Sequence, residues 1–247
     1  MYLVVIIPGV PWLFAVVTEQ SRLGRKFKKL PDCGVAGYYF MFGFGYDVLH
    51  DDYKVVGIYR NLSYKGLHNV EIKLYSLDSD SWRSIDDFQT GMLFIKSGIF
   101  VNGKLHWANT TSRNPSYKGW DIISINVADG KWVKVEKPCY GKRDFDFSPC
   151  LGVLGSDLSV FCNIRKTHTN VWVMKDYKVK ESRTKMFTIK CHFDSEDYLF
   201  HPPFYISNEG GILFEIGSIF MIYNPMDDSI RYPGVTNYYA FFGKDLH

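Results

Sequence analysis

Short apolar runs separated by polar turns recur along this chain, and no stretch of ten or more residues sustains a helical period. Four passages share one layout: a strand, a brief polar turn and a second strand. They begin at Leu74-Tyr75-Ser76-Leu77-Asp78-Ser79-Asp80-Ser81-Trp82, Ser124-Ile125-Asn126-Val127-Ala128-Asp129-Gly130-Lys131-Trp132, Val171-Trp172-Val173-Met174-Lys175-Asp176-Tyr177 and Met221-Ile222-Tyr223-Asn224-Pro225-Met226-Asp227-Asp228-Ser229. From Leu74 to Ser124, Val171 and Met221 the steps are 50, 47 and 50 residues. A fixed period of this size in a chain of strands predicts radial or stacked repetition.

Each repeat resolves into four strands. The first comprises Gly43 to Asp47, Asp52 to Tyr59, Val70 to Leu77 and Ser81 to Ile85. In the second, Gly98 to Val101 turns at Asn102-Gly103 into Lys104 to Ala108. That pair is a strong hairpin signal, because a type I′ turn needs positive φ at both central residues. Asp121 to Val127 and Lys131 to Val135 complete it around Ala128-Asp129-Gly130. The third has Leu151 to Leu154, Leu158 to Cys162, Val171 to Met174 and Tyr177 to Ser182; the fourth has Pro203 to Ser207, Ile212 to Ile216, Ser218 to Tyr223 and Ser229 to Tyr232. Val, Ile, Tyr, Phe and Trp crowd these runs, as half-buried pleated surfaces favour. The expected fold is all-β: a β-propeller-like array of four-stranded antiparallel blades at 42–87, 98–136, 150–189 and 203–233, with a pair of β-sandwiches as the other arrangement.

Residues 10–18 and 25–31 read as two strands of a further blade, to which Tyr238 to Phe242 would add from the far end. The expected ring is incomplete or irregularly closed, since an open edge leaves backbone groups unpaired. Organisation is read as an atypical apolar segment at 1–24 followed by an interaction domain at 25–247. Tyr2 to Val17 is nearly all apolar, yet it lacks a basic flank, is interrupted by Pro8 and Pro11, and has no small-residue cleavage site after it. Buried strands suit it better than a signal peptide, and it is short for a membrane span.

With 247 residues, 46% hydrophobic and 17% aromatic, the chain has ample material for a core. Its 29 basic and 26 acidic residues leave a net charge of +3 with no concentrated basic face, so neither nucleic acid nor membrane is an expected partner. The five cysteines, Cys33, Cys139, Cys150, Cys162 and Cys191, show no CxxC and no zinc spacing. Reduced, structural thiols in a cytoplasmic or nuclear protein follow. Two sequons, at Asn61 and Asn109, matter only in a secreted chain.

Catalytic constellations are sparse. No GxSxG elbow, P-loop or HExxH occurs, and Gly43-x-Gly45 lacks the third glycine and following helix of a dinucleotide site. Gly119-Trp120-Asp121 begins a strand where a WD40 repeat would end one. Ala128-Asp129-Gly130 reads as an ordinary hairpin turn, His50-Asp51-Asp52 as a turn, and His106 beside Trp107 as a core histidine. No catalytic residue, metal site or cofactor is expected.

Several of these motifs, in this order, carry a family resemblance. Gly43-Phe44-Gly45-Tyr46-Asp47 followed by Asp51-Asp52-Tyr53-Lys54-Val55-Val56 resembles the opening of the plant F-box-associated domain. Val70 to Leu77 with Ser81-Trp82-Arg83, Val101-Asn102-Gly103-Lys104-Leu105-His106-Trp107, Leu151 to Leu154, Val171 to Met174 and Tyr223-Asn224-Pro225 fit the same family, across residues 25 to 242. The resemblance implies a kelch-like propeller that follows an F-box in adaptors of Skp–cullin–F-box ubiquitin ligases. There the F-box docks on the Skp adaptor and the associated domain captures the target for ubiquitination. Residues Met1 to Gly24 do not read as an F-box, so binding of a Skp-type adaptor is expected only if one is supplied.

Strand order also locates a binding face. In an up-and-down blade, the turns joining strands one to two and three to four lie at one end. The connections between strands two and three, and between blades, lie at the other. The first set is short here; the second is long and carries Phe88, Arg113, Tyr117, Tyr140, Arg143, Phe145, Phe147, His168, Tyr198, Phe200 and His201. Aromatics and arginine dominate interface hot spots, although Phe145, Phe147 and Phe200 would serve equally well as loop anchors. The functional expectation is a non-catalytic, target-recognising domain of a ubiquitin-ligase adaptor. The alternatives are a glycan-active propeller enzyme and a truncated fragment, inert or acting as a decoy.

Overall fold

The computed structural model of the chain describes residues 5–6, 14–17, 26–34, 39–62, 68–86, 93–94, 98–110, 120–138, 149–164, 168–175, 183–190, 205–206, 210–216 and 219–233. These residues form twenty strands, β1 to β20, in five antiparallel sheets. The first sheet pairs β1 (Val5–Ile6), β2 (Phe14–Val17) and β3 (Lys26–Lys29) in that order. The second is β4 (Tyr39–Asp47), β5 (Asp52–Leu62), β6 (His68–Ser76) and β7 (Ser81–Ile85). In the third, β10 (Lys104–Thr110), β11 (Trp120–Asn126) and β12 (Trp132–Val135) follow a first strand split into β8 (Leu93–Phe94) and β9 (Ile99–Val101), both paired to β10.

The fourth sheet comprises β13 (Pro149–Leu154), β14 (Asp157–Ile164), β15 (His168–Met174) and β16 (Arg183–Lys190). The fifth comprises β17 (Tyr205–Ile206), β18 (Ile212–Ile216), β19 (Ile219–Asn224) and β20 (Ser229–Arg231). The four expected blades are therefore present as successive meanders. One strand differs. Tyr177 to Ser182, expected to close the third repeat, lies outside the described residues, and Arg183–Lys190 takes that place. It pairs with β15 from Met174↔Arg183 to His168↔Lys190 across a bulge at Val171/Trp172. That register puts Ile189 into the core and sets the Phe187 ring, tilted by 35°, against Tyr223 of the next sheet, at 5.2 Å between ring centroids. The other repeats join their last two strands by a tight turn, and carrying that spacing over placed the strand too early.

Paired β2 and β3 fall within the expected 10–18 and 25–31; Tyr238 to Phe242 lies outside the described residues. Among the described residues, no strand of the first sheet pairs with the fifth.

Apolar clusters sit between consecutive sheets. Leu30, Val55 and Tyr75 pack on the side of the second sheet near β3. Val56, Leu74, Leu105, Trp107 and Ile123 join the second sheet to the third. Ala108, Ile122, Leu158 and Val160 join the third to the fourth, and Phe161, Val171, Phe214 and Met221 the fourth to the fifth. Neighbours such as Val55 and Val56, or Ile122 and Ile123, serve opposite interfaces because successive strand side chains point to opposite faces. This two-sided burial explains why the middle strands read as near-continuous apolar runs.

The second and third sheets approach closely. A Cβ on Gly43 would lie 2.8 Å from Leu105, one on Gly98 2.5 Å from Trp107, and one on Gly45 would collide with Phe100. Gly98 N donates to Phe42 O at 2.8 Å across the same seam. Trp82 of β7 and Trp132 of β12 occupy equivalent repeat positions and perform equivalent work: their indole N–H groups donate to Pro31 O (2.8 Å) and Asp86 O (3.0 Å), each in the segment leading into that tryptophan's own sheet.

Two consequences are measurable by urea unfolding. Gly45→Ala overpacks the seam and is expected to cost about 1–3 kcal/mol. Gly103→Ala, with φ +72° and open space around it, carries only left-handed backbone strain, about 1 kcal/mol. Combining Gly45→Ala with Phe100→Ala should cost less than the two single changes added together, since the second relieves the first. Separately, His106 is fully buried with Nδ1 3.2 Å from Ile99 O, and burial pushes its pKa down to about 4. The unfolded imidazole titrates near ~6.5, so the unfolded chain takes up the proton first and stability falls as pH drops from ~6.5 towards 4, by up to about 3 kcal/mol. His106→Gln should flatten that part of the stability–pH curve.

Candidate interaction faces

The meander sends its connections to two ends. At one end lie the hairpin turns Val48 to Asp51, Leu77 to Asp80, Asn102-Gly103, Val127 to Gly130, Gly155-Ser156 and Pro225 to Asp228. At the other, β5, β10, β14 and β18 hand over to β6, β11, β15 and β19, and each sheet hands over to the next.

One turn chemistry recurs at the hairpin end. Tyr46, Tyr75 and Tyr223 each donate a hydroxyl hydrogen bond to an aspartate five residues on: Asp51, Asp80 and, at 3.0 Å, Asp228. These aspartates have φ of 50°, 49° and 57°, and Gly130 takes the same place at 77°. Left-handed φ is tolerated by Gly and by Asp or Asn, whose short polar side chains can bond locally. The residue after each tyrosine position is also polar: Asn126 Oδ1 accepts from Ala128 N and Asn224 Oδ1 from Met226 N, both at 3.0 Å, while Ser76 Oγ accepts from Ser79 N at 3.2 Å. Ala128-Asp129-Gly130 is thus a hairpin turn.

The second sheet adds a buried carboxylate. Asp52 accepts from Lys54 Nζ (2.5 Å), Ser76 Oγ (2.5 Å) and Asp78 N (2.9 Å), tying the β4–β5 turn to the β6–β7 turn. Burial by itself raises its pKa, but the bonds from Lys54, Ser76 and Asp78 outweigh that and hold it below the usual carboxylate range. Beside it, Asp47 is buried while His50 is exposed; Asp47 Oδ2 meets His50 Nδ1 at 2.7 Å. A hollow of about 200 Å³ opens here between the second and third sheets, lined by 46–49, 102–104 and 126–128.

The long-connection end is where the sequence placed its binding residues. His168 opens β15 there, half-buried, opposite Ile164 and Lys190. Phe88, Arg113, Tyr117, Tyr140, Arg143, Phe145, Phe147, Tyr198, Phe200 and His201 lie outside the described residues. Two groups that sequence reasoning did not single out occupy this end. Lys137 Nζ donates to Trp120 O at 2.9 Å and lies 5.2 Å from the Trp120 ring centroid, a cation–π contact. Asn109 is fully buried on β10, and neither atom of its amide has a hydrogen-bond partner. The Asn109 side chain of its sequon is accordingly buried in the folded chain. Among the described residues, no group of three His, Cys, Asp or Glu side chains is placed to hold a metal ion.

The family profile described as F-box associated beta propeller domain matches residues 18–228. This chain belongs to that family. The chain is 33% identical to an F-box/kelch-repeat protein of Arabidopsis thaliana, over 78% of this chain and 50% of that protein. It is 26% identical to the Arabidopsis F-box protein CPR1, over 85% and 55% respectively. The chain therefore spans about half the length of the curated relatives it matches. Among solved structures, dipeptidyl peptidase 4 of Porphyromonas gingivalis superposes at a TM-score of 0.48 with 8% identity, over 94% of this chain and 44% of that one, a likeness too slight to argue from.

The Asp52 network gives a signed expectation. A folded-state pKa below the unfolded value means stability that is present at neutral pH and lost as pH falls below about 4. Asp52→Asn should cost about 1–3 kcal/mol at pH 7 by leaving Lys54 without its carboxylate. The gap from the native chain should narrow in urea titrations at pH 3.

Proposed function

We propose that this F-box-associated domain captures a protein target at its long-connection end, as the recognition part of a ubiquitin-ligase adaptor, and that it binds without catalysing a reaction. One observation carries the reading: the meander directs every sheet-to-sheet connection and every second-to-third-strand connection to the same end. Variable loops on a rigid scaffold are the usual place for recognition. The family supports it, since the relatives at hand are F-box proteins. Five cysteines with neither a CxxC pair nor zinc spacing suit a reducing compartment, so the cytoplasm or nucleus is the proposed location.

Affinity capture from plant cell extract tests this. Residues 1–247 should retain a defined set of proteins, and a Tyr140→Ala, Arg143→Ala, Phe145→Ala triple variant with unchanged circular dichroism should lose them by at least about tenfold. Unchanged capture would move the site elsewhere. The same polypeptide should bind a Skp-type adaptor only after fusion to an F-box; direct, robust adaptor binding without one would overturn that half of the proposal.

A further inference from the structure

The β4–β5 turn presents two apolar side chains to water: Val48 is 75% exposed and the adjacent Leu49 80%, whereas Val127, in the β11–β12 turn across the hollow, is buried. This exposure does not come from a loose turn. Asp47 Oδ1 accepts from Leu49 N (3.1 Å) and His50 N (3.4 Å), Asp47 Oδ2 holds His50, and Tyr46 bonds Asp51. Two aliphatic side chains are therefore held in water by a well-bonded scaffold, at the rim of the 200 Å³ hollow. The far wall is apolar at Val127 and Ala128 and cationic at Lys104. Lys54, Lys73, Lys131, Lys134 and Lys190 each meet a carboxylate; Lys104 meets none among the described residues.

We propose that this hollow docks an extended segment of a partner protein, seating one aliphatic side chain against Leu49 and Ala128 and setting an adjacent carboxylate on Lys104. Fixed apolar side chains offer contact area whose ordering is already complete, which is how preorganisation favours binding. The unpaired ammonium selects the charge of the occupant. The site lies at the hairpin end, opposite the proposed target face, so it stands or falls independently of that reading.

The probe is acetyl-Leu-Asp-Leu-amide, titrated into the 15N-labelled full chain and compared with acetyl-Leu-Lys-Leu-amide. The acidic peptide should shift the amides of Leu49, Gly103 and Val127, and the lysine peptide should bind at least about fivefold more weakly. Lys104→Glu should invert that preference, and Leu49→Asp should abolish binding of both peptides with the rest of the spectrum unchanged. Equal binding of the two peptides, shifts confined to other residues, or no shift at all would overturn the proposal. Concentration-dependent shifts of these amides without peptide would also overturn it, by naming a second copy of the chain as occupant.

Discussion

The structure depends on burying the second, third and fourth sheets on both faces. A single antiparallel meander of four short strands buries too little to stand alone, so each sheet here relies on its neighbours. The middle strands supply two sets of apolar side chains, one per interface, as Val55/Val56 and Ile122/Ile123 do. The seam between the second and third sheets shows how tight this becomes. Gly43, Gly45 and Gly98 leave out the very atoms that would strike Leu105, Phe100 and Trp107. The Gly-Phe-Gly that marks the family in sequence is thus a packing requirement, with Phe44 turned to the opposite interface.

Because the interior is fixed by packing, the two ends are free to differ. The hairpin end is governed by local chemistry: a tyrosine, a polar residue two strands can share, and an aspartate or glycine in left-handed conformation. Those turns bond within themselves and, through Asp52, with each other. The opposite end receives the longer connections, which tolerate insertion because loop closure costs little extra as length grows. Recognition by sequence-variable loops and rigidity of the stack are compatible for that reason. Val48 and Leu49, like Met226 in the β19–β20 turn, add exposed apolar area at the hairpin end.

Much of this was legible beforehand. The period, the Asn102-Gly103 and Ala128-Asp129-Gly130 turns and the β-rich runs located four meanders to within a few residues. The failures share a cause. The last strand of the third repeat was placed six to eight residues early, because its pairing is decided by a bulge and by what Ile189 and Phe187 can reach in the neighbouring sheet. The split of the third sheet's first strand into β8 and β9 left no local signal. Of the residues proposed for binding, His168 alone lies among those described; its place at the long-connection end follows from strand order, which sequence does encode.

By itself, then, the sequence determined what is local: which stretches are strands, where left-handed turns occur, which end each connection leaves from, and the family to which those motifs belong. Only the tertiary structure decided what depends on pairs distant along the chain. It alone showed that glycines on β4 make room for Leu105 and Phe100, that Trp82 and Trp132 reach the backbone of preceding segments, and that the Asn109 side chain is buried. It alone separated a buried Val127 from an exposed Val48, each in a hairpin turn of similar sequence. The physical reason is that turn and strand preferences are set by a residue and its immediate neighbours, whereas burial is set by whichever surface the finished fold brings against it.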